Sequence, residues 1–188
     1  MDDAVFVRHA ESEAAARRAV GGDTSLTDRG RAQARELASE LAALPFDVCL
    51  TSNALRARET ADLALETRAI PREIVADLAD IAFGSFEGRS LDEYRDWVVA
   101  HAPGESPEGG ESRVATLRRL CRACRAILER PDSHVLVVAH GLTLSALMDE
   151  TPRPVVAGVQ YASWIHVTRE GLESAVARIE RWCQAPSW

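Results

Sequence analysis

The sequence predicts an α/β domain with a largely parallel sheet, and three observations support this fold class. Short apolar runs, such as residues 4–7 and 135–139, are typical of buried parallel strands. Segments whose apolar residues recur at helical spacing alternate with these runs along the chain. A chain of 188 residues is also long enough to bury a core of its own, so we expect residues 1–188 to form a single domain.

Three predicted strands alternate with two helices in the first half of the chain. The strands are AVFV, DVCL and REIV, at residues 4–7, 47–50 and 72–75. Thr27 is a favourable N-cap for the first helix, which we expect to end before Pro45. Ser52 or Asn53 is the expected cap of the second helix, which runs to about Arg68.

Two further helices are predicted before the last part of the chain. Ser90 and Glu93 form the pattern of a capping box at the start of a short helix. A loop rich in Pro and Gly follows at residues 101–112, and then a longer helix. Cys121 and Cys124 lie on the predicted buried face of that helix. We therefore interpret this C-x-x-C as part of the core, and not as a redox or zinc site.

The end of the chain contains the strongest strand signal, HVLVVAH, at residues 134–140. A helix follows from about Thr143. We expect the later segments YASWIHV and ESAVARI to form a pair of antiparallel strands around the turn TREG. Such a pair predicts a mixed sheet in which most strands are parallel.

Charge and composition limit the partners of this protein. The net charge of -7 argues against general binding to nucleic acid or acidic membranes. No apolar run approaches the length of a bilayer span, and the acidic start of the chain is unlike a secretory leader, so we expect a cytoplasmic protein. The oligomeric state stays open. A site for an anion on such a chain requires a local cluster of Arg and His side chains.

Polar side chains follow three predicted strands where the strands end. Arg8 and His9 come after the first strand, Arg56 begins the helix after the second, and His140 and Gly141 come after the strand near residue 135. Ligands of open α/β sheets bind at the carboxyl ends of the strands. A single histidine at a strand end is often structural, but three such strand ends together predict a site.

The chemistry of these residues indicates a pocket for a phosphoryl group. A guanidinium fork matches two phosphate oxygens, and a helix N-terminus favours a nearby anion. Imidazole is a nucleophile towards phosphorus and needs no metal ion for this. We therefore expect no metal and no cofactor.

Five segments resemble the successive motifs of the histidine phosphatase superfamily, the phosphoglycerate mutase-like proteins. They are VRHAES, SLTDRGRAQA, TSNALRARETA, LADIAFGSFEG and VVAHG, in the order of the family. The resemblance implies a three-layer α/β/α sandwich around a sheet of about six strands. It also implies transfer of the phosphoryl group through a phosphohistidine. The compact FGSFEGRS segment resembles the phosphatase branch, which includes alpha-ribazole phosphatase.

The resemblance also implies roles for individual residues. His9 is the nucleophile, Arg8 and Arg56 bind the phosphoryl oxygens, and His140 stabilises the charge of the group in transfer. The proton donor of the family is a Glu, and Asp80 stands at that place in this chain. Asp80 is one methylene shorter than Glu, so Glu87 in the same loop is the alternative acid. The family pattern has R-H-G and an Asn nearby, where this chain has Ala10 and Ala15.

The remaining site predictions concern the substrate. Ser12 stands where the family often has Thr, and Gly141 follows the second catalytic histidine; we expect both to bind substrate. Arg17 and Arg89, together with Arg18, are candidates for binding a second anionic group. Charged residues in such segments are more often simply solvated, and that interpretation stays open beside the first.

The function we expect is hydrolysis of a small phosphorylated metabolite. The chain is short for the insertion that cofactor-dependent phosphoglycerate mutases carry, so mutase activity is the alternative. A catalytically silent phospho-ligand-binding relative is a second alternative, because the acid is altered. A metal hydrolase is disfavoured because no compact pair of metal ligands such as H-E-x-x-H is present. The physiological substrate and its pathway are not determined by these residues.

Overall fold

Strands and helices alternate along most of the chain. The structure is a computed structural model that describes residues 1–149, 151–155 and 159–188. The strands of this part are Asp3–Arg8 (β1), Val48–Thr51 (β2), Arg72–Ile74 (β3), His134–Ala139 (β4) and Trp164–Thr168 (β5). The helices are Glu13–Ala16 (α1), Asp28–Glu40 (α2), Leu55–Ala64 (α3), Leu91–Ala100 (α4), Arg113–Leu128 (α5), Gly141–Met148 (α6) and Arg169–Gln184 (α7). Two short 3₁₀ turns, Ala76–Leu78 and Gly84–Phe86, lie between β3 and α4.

The strands form one mixed sheet in the order β3-β2-β4-β1-β5. β3, β2, β4 and β1 are parallel to one another, and β5 pairs antiparallel with β1 at the edge. The prediction of a mixed, mostly parallel sheet is therefore confirmed, with five strands in the described residues where about six were expected. β1 and β4 are the inner strands that carry the predicted site, and their central residues are buried on both faces.

Helices cover both faces of the sheet, which gives the predicted three layers. Successive side chains of a strand point to opposite faces, and β1 shows this clearly. Val5 and Val7 pack in one cluster with α2 and α3. Ala4 and Phe6 pack in another cluster with α5 and α7. Because the sheet is buried on both sides, the loops at the carboxyl ends of its strands are the accessible places beside it.

The C-x-x-C segment lies in the core, as the helical spacing predicted. Cys121 and Cys124 face the cluster between α5 and α7, and their exposed fractions are 3% and 0%. Burial raises the pKa of Cys121 to about 12 and raises that of Cys124 as well. Both side chains are therefore protonated, apolar core residues at neutral pH.

The predicted last strand is wrong. ESAVARI belongs to α7, which begins directly after β5 with Thr168 as its N-cap. The short run of apolar residues suggested alternation, but the buried residues of the longer segment follow the period of a helix. These buried residues are Leu172, Ala175, Val176, Ile179 and Cys183. The antiparallel pairing expected of the sheet is made by β5 with β1 instead.

The predicted cap of α3 is also wrong. α3 begins at Leu55, and its N-cap Ala54 makes no side-chain hydrogen bond. Ser52 lies two residues before this cap; its hydroxyl accepts from the backbone N–H of Ala54 at 3.4 Å and lies 2.9 Å from Nε2 of His140. The capping box of Ser90 and Glu93 at the start of α4 is confirmed. None of the described helices is long and apolar enough to cross a membrane.

Candidate active site

The carboxyl ends of two neighbouring strands bring two histidines side by side. β1 and β4 pair in a register that sets Arg8 opposite Ala139, so His9 and His140 leave the sheet at the same level. The backbone N–H of His9 donates to the carbonyl of Ala139 at 2.9 Å. The centroids of the two imidazole rings lie 5.2 Å apart, and both side chains are buried. Parallel register alone therefore places both rings at one site.

The orientation of His9 leaves one ring nitrogen available. Its Nδ1 lies 2.8 Å from the carbonyl oxygen of Ala10, which can only accept, so Nδ1 carries the proton. Nε2 then has the free lone pair, and it accepts a hydrogen bond from Nε of Arg56 at 3.2 Å. Burial lowers the pKa of His9 well below 6.5, and the neighbouring ring of His140 and the guanidinium of Arg56 lower it further. His9 is therefore a neutral imidazole, the form that acts as a nucleophile.

Arg56 connects both histidines to the loop that follows β3. It is the second residue of α3 and is 7% exposed. Its Nη2 lies 3.2 Å from Oδ2 of Asp80 and 3.4 Å from Nδ1 of His140. Its Nη1 donates to the carbonyl of Gly22 at 2.9 Å. A guanidinium held at several points has a defined direction and can bind two phosphoryl oxygens at once.

Arg8 precedes His9 at the end of β1 and lines the same cavity. Its guanidinium stacks on the ring of Tyr161, with Cζ 3.8 Å from the ring centroid, and its Nη1 donates to the carbonyl of Val159. Its buried Nε has no hydrogen-bond partner among the described residues. A Cβ on Gly141 would lie 3.3 Å from this Nε, so glycine leaves room beside Arg8. An orphaned buried donor of this kind is satisfied by a ligand such as a phosphoryl oxygen.

His140 is fully buried and neutral. Its Nε2 lies 2.9 Å from the hydroxyl of Ser52, and its Nδ1 lies 3.5 Å from Oδ2 of Asp80. Burial lowers the pKa of His140 to about 4; the carboxylate of Asp80 opposes this shift, and the charge of Arg56 adds to it. Ser52 was predicted only as a helix cap, and its contact with His140 is a positioning role that sequence reasoning missed.

The structure distinguishes the two candidate acids. Asp80 lies against Arg56 and His140, and its other oxygen accepts from the backbone N–H of Ile81 at 3.0 Å. Glu87 is exposed and accepts from the backbone N–H groups of Gly22 and Phe83. Asp80 therefore faces the histidines, whereas the carboxylate of Glu87 holds two loops together.

The electrostatic surroundings keep Asp80 ionised in the free protein. Burial opposes its charge, but His140, Arg56 and the N–H of Ile81 outweigh burial and lower its pKa. A quarter of the Asp80 side chain is exposed, and this side faces the open site. A bound phosphoryl group would neutralise Arg56 and add negative charge nearby, so that a proton on Asp80 becomes favourable only with substrate present.

A second ion pair, which sequence reasoning missed, holds the Asp80 loop in place. Arg119 of α5 donates to the carbonyl oxygens of Asp77, Ala79 and Asp80 at 3.0, 2.9 and 3.2 Å. The same guanidinium pairs with Glu111 at 2.6 Å. The carboxylate of Glu111 also accepts from the backbone N–H of Ala82. This Arg119–Glu111 clamp joins a residue of α5 to one in the loop just before that helix, and no local motif marks it.

The residues predicted to bind substrate lie in different places: some line the site, and others lie on the exposed surface. Ser12 is buried and caps α1, and it lines a recess beside His9. Gly141 lines the main cavity. Arg17 lies on the exposed end of α1, whereas its neighbour Arg18 lines the cavity. Arg89 is exposed, stacks on Phe86 and pairs with Glu93 at 2.8 Å.

The main cavity extends from His9 to α4 and α5 and has a volume of about 620 Å³. One end contains Arg8, His9 and Asp80. We call it the phosphoryl end. The other end is lined by Tyr94 and Arg113 with neighbouring apolar residues, and we call it the leaving-group end. Within the described ranges, no three His, Cys, Asp or Glu side chains are grouped so that they could hold a metal ion.

The sequence matches the family model of the histidine phosphatase superfamily (branch 1) over residues 4–180. The chain belongs to this superfamily. Its members include enzymes similar to this chain: the adenosylcobalamin/alpha-ribazole phosphatase of Salmonella typhimurium is 35% identical over 158 residues, which are 76% of each chain. A 2,3-bisphosphoglycerate-dependent phosphoglycerate mutase of Methylobacterium sp. is 35% identical over 161 residues, 77% of each chain.

Solved structures of the superfamily share the fold. YhfR of Bacillus stearothermophilus superposes with a TM-score of 0.76 at 29% identity, over 88% of this chain and 90% of that one. The phosphoglycerate mutase-like sandwich predicted from the motifs is therefore confirmed. The chain is an enzyme of the phosphatase type within the histidine phosphatase superfamily, with both phosphatases and mutases among its relatives.

Proposed function

We propose that this chain hydrolyses a small phosphomonoester through a phosphohistidine at His9, without a metal ion. The observation that carries the proposal is the position of the unprotonated Nε2 of His9, 3.2 Å from the guanidinium of Arg56. Arg8 lines the same cavity as His9, and the ring centroids of His9 and His140 lie 5.2 Å apart. Phosphoryl transfer requires mainly positioning and stabilisation of charge, which this cluster can supply.

In the first step, Nε2 of His9 attacks phosphorus and the bond from phosphorus to the alcohol oxygen breaks. The alcohol oxygen takes a proton from Asp80. Phosphomonoesters have a second pKa near 6, so a fraction binds as the monoanion and brings this proton into the site. Arg8 and Arg56 bind the equatorial oxygens, and His140, whose ring lies beside Arg56, stabilises the charge of the group in transfer.

In the second step, water attacks phosphorus and the bond from phosphorus to Nε2 breaks. Asp80, now ionised, accepts a proton from this water, and inorganic phosphate leaves. His9 returns to its neutral form with the proton still on Nδ1, where the Ala10 carbonyl holds it. General acid–base assistance by a positioned carboxylate is typically worth about 10²–10⁴-fold in rate.

The decisive experiment is capture of the intermediate. The wild-type protein is mixed rapidly with p-nitrophenyl phosphate, quenched in alkaline denaturant and analysed by intact mass. We expect a mass gain of one phosphoryl group that is lost on brief exposure to acid, and a labelled peptide that contains His9. His9→Ala should show neither the label nor measurable turnover.

His134→Ala is the matched control, since His134 lies at the opposite end of β4 and pairs with Asp3 on the surface. This variant should keep both label and turnover. Full activity in His9→Ala, or a label on another residue, would contradict the mechanism. Phosphate binding by the wild type without any turnover would favour the silent phosphate-binding alternative.

Mutase activity is the second candidate, because a named phosphoglycerate mutase is 35% identical to this chain. A mutase must return the phosphoryl group from the histidine to a second hydroxyl before water reaches it. Incubation with 3-phosphoglycerate, with and without 2,3-bisphosphoglycerate, separates the two activities. Release of inorganic phosphate as the main product supports the phosphatase, and formation of 2-phosphoglycerate faster than phosphate release supports the mutase.

A further inference from the structure

The leaving-group end of the cavity has an apolar wall. Side chains from the loop after β3, from α4 and from the start of α6 face it, and they are Ile81, Phe83, Leu91, Tyr94, Val98 and Leu142. Most of them also form a small hydrophobic cluster of their own. A wall of this kind favours the carbon skeleton of an alcohol and does not by itself select among alcohols.

The charges that line the same cavity are strongly unbalanced. Four arginines and one carboxylate line it within the described ranges, although the chain as a whole has a net charge of -7. Two of the arginines are already paired: Arg18 lies 2.7 Å and Arg95 3.6 Å from the carboxylate of Asp92. Arg8 belongs to the phosphoryl end. Arg113 is left without an assigned partner.

Arg113 is buried and incompletely bonded. It is 6% exposed at the first turn of α5. One Nη2 hydrogen bond reaches the carbonyl of Pro154 at 3.0 Å, and Cζ lies 5.8 Å from the ring of Trp188. Among the described residues, its Nε has no hydrogen-bond partner and no carboxylate lies within ion-pair distance of it. Burial lowers its pKa from the ordinary value. A buried charge of this kind is costly unless an anion approaches it.

Two other arginines, which are half-buried, have a buried Nε without a partner among the described residues, and they help to interpret Arg113. Arg178 lies away from the cavity and donates to the carbonyl oxygens of Ala146 and Leu147, so it caps the end of α6. Arg8 lies at the phosphoryl end of the cavity. Arg113 resembles Arg8, since both line one cavity and the buried Nε of each has no partner among the described residues.

We propose that Arg113 binds a second anionic group, a carboxylate or a second phosphoryl group, on the alcohol part of the substrate. This inference rests on the proposed phosphatase function and names its substrate class. The phosphoryl group to be transferred occupies the site of His9, and the apolar wall contacts the carbon skeleton between the two anions. The second anion then pairs with the guanidinium at the far end.

The test uses matched synthetic substrates. Phosphomonoesters of unbranched ω-hydroxy acids, with about two to eight methylenes to scan the length of the cavity, are compared with their carboxamides. A parallel series of alkanediol bisphosphates is compared with the monophosphates. We expect kcat/KM at the best chain length to favour the anionic member by about 10–100-fold. The series with the larger preference identifies whether carboxylate or phosphoryl is the second anion.

Two variants locate the preference. Arg113→Gln should reduce this preference to less than about threefold, measured for each pair as the ratio of kcat/KM for the anionic substrate to kcat/KM for the neutral one. Arg95→Gln removes the same charge from the same cavity, but that charge is already paired, so the preference should remain. Because Arg113 is buried, Arg113→Lys is made as well. This variant keeps the positive charge, so it should fold and should retain part of the preference through its ammonium group.

The outcomes separate this inference from the proposed function. If the wild type hydrolyses the carboxamides as well as the carboxylates at every length, and shows no preference for bisphosphates, Arg113 has no role in recognition. A preference that survives Arg113→Gln contradicts the assignment to this residue. If the wild type shows no measurable hydrolysis of p-nitrophenyl phosphate or of any synthetic ester, the proposed function itself is wrong.

Discussion

The two ends of the cavity are built in different ways. At the phosphoryl end, Arg8, His9 and His140 follow directly from adjacent parallel strands, and hydrogen bonds hold each ring and guanidinium. At the leaving-group end, the lining comes from α4, the start of α5 and the segment around Pro154, whose positions depend on packing between helices and loops. In the proposed function, the sheet therefore positions the side chains that bind the phosphoryl group. The surrounding helices position the side chains that contact the alcohol part of the substrate.

This difference has a consequence for variants. A change at the phosphoryl end alters the treatment of every phosphomonoester, because all of them present the same phosphoryl group. A change at the leaving-group end alters only the ranking of substrates. Asp80 lies at the boundary, since it contacts Arg56 and is the proposed proton donor to the alcohol.

Asp80→Asn should have the largest effect, and the size of this effect should depend on the leaving alcohol. An amide cannot give a proton to the leaving oxygen, so we expect kcat/KM for alkyl phosphates to fall by about 10²–10⁴-fold. The loss for p-nitrophenyl phosphate should be small, because p-nitrophenol leaves readily as its anion. A plot of log kcat/KM against the pKa of the leaving alcohol, for wild type and variant, measures the difference.

Glu87→Gln is the matched control for that plot. Its carboxylate accepts from two backbone N–H groups, which an amide oxygen can still accept in part, and it should leave the slope unchanged. Equal losses for all leaving groups in Asp80→Asn would remove Asp80 from the role of acid. A steeper slope in Glu87→Gln, together with an unchanged slope in Asp80→Asn, would assign the role of proton donor to Glu87.

Acid should destabilise the phosphoryl end first. The pKa of His140 is about 4 in the folded protein and near 6.5 when unfolded, so the unfolded chain binds a proton first as the pH falls. The contribution of neutral His140 to the free energy of unfolding is therefore present above about pH 6.5 and is lost progressively as the pH falls below it. Between pH 7 and pH 5 this histidine alone should cost about 2 kcal/mol of the free energy of unfolding.

Urea unfolding at the two pH values measures this loss. His140→Gln should remove the part of the loss that comes from His140 and leave the part that comes from His9, whose pKa burial also lowers. His134→Gln should remove none of it, since a hydrogen bond to Asp3 raises the pKa of His134. A raised pKa acts with the opposite sign, because the folded state then binds the proton more tightly. A wild type whose stability is the same at both pH values would contradict the assigned neutrality of the buried ring.

The smallest effect is expected from the Arg119–Glu111 clamp. Arg119→Met removes three hydrogen bonds to the carbonyl oxygens of the Asp80 loop, and the loop should then hold its carboxylate less well. We expect kcat for alkyl phosphates to fall about tenfold, with KM and the rate on p-nitrophenyl phosphate nearly unchanged.

Arg122→Met is the control for the clamp. Arg122 pairs with the side chain of Asp77 in the same segment, but on the exposed surface, where an ion pair stabilises little. It should therefore leave both rates as they are. Losses of the same size for both kinds of substrate in Arg119→Met would show that the residue stabilises the fold and does not position Asp80.

The parts of the site that the sequence revealed are those attached to regular strands. Arg8, His9 and His140 follow runs of apolar residues whose burial was readable, and Arg56 begins a helix with clear periodicity. Asp80 was identified from a resemblance, and the structure places it beside Arg56. The last element was misread because ESAVARI is too short to separate a strand from a helix by periodicity alone.

The sequence by itself determined which residues follow buried strands. It also determined that these residues are arginines and histidines, whose side chains are suited to a phosphoryl group. Only the tertiary structure decided which other arginines face the cavity. Arg17 and Arg18 are neighbours in the sequence, yet only Arg18 of the two was found to line the cavity, and Arg113 lines it from a helix that starts far along the chain. The reason is physical: a strand end has one direction set by the sheet, whereas the direction of a side chain on a helix end or loop depends on what packs against it.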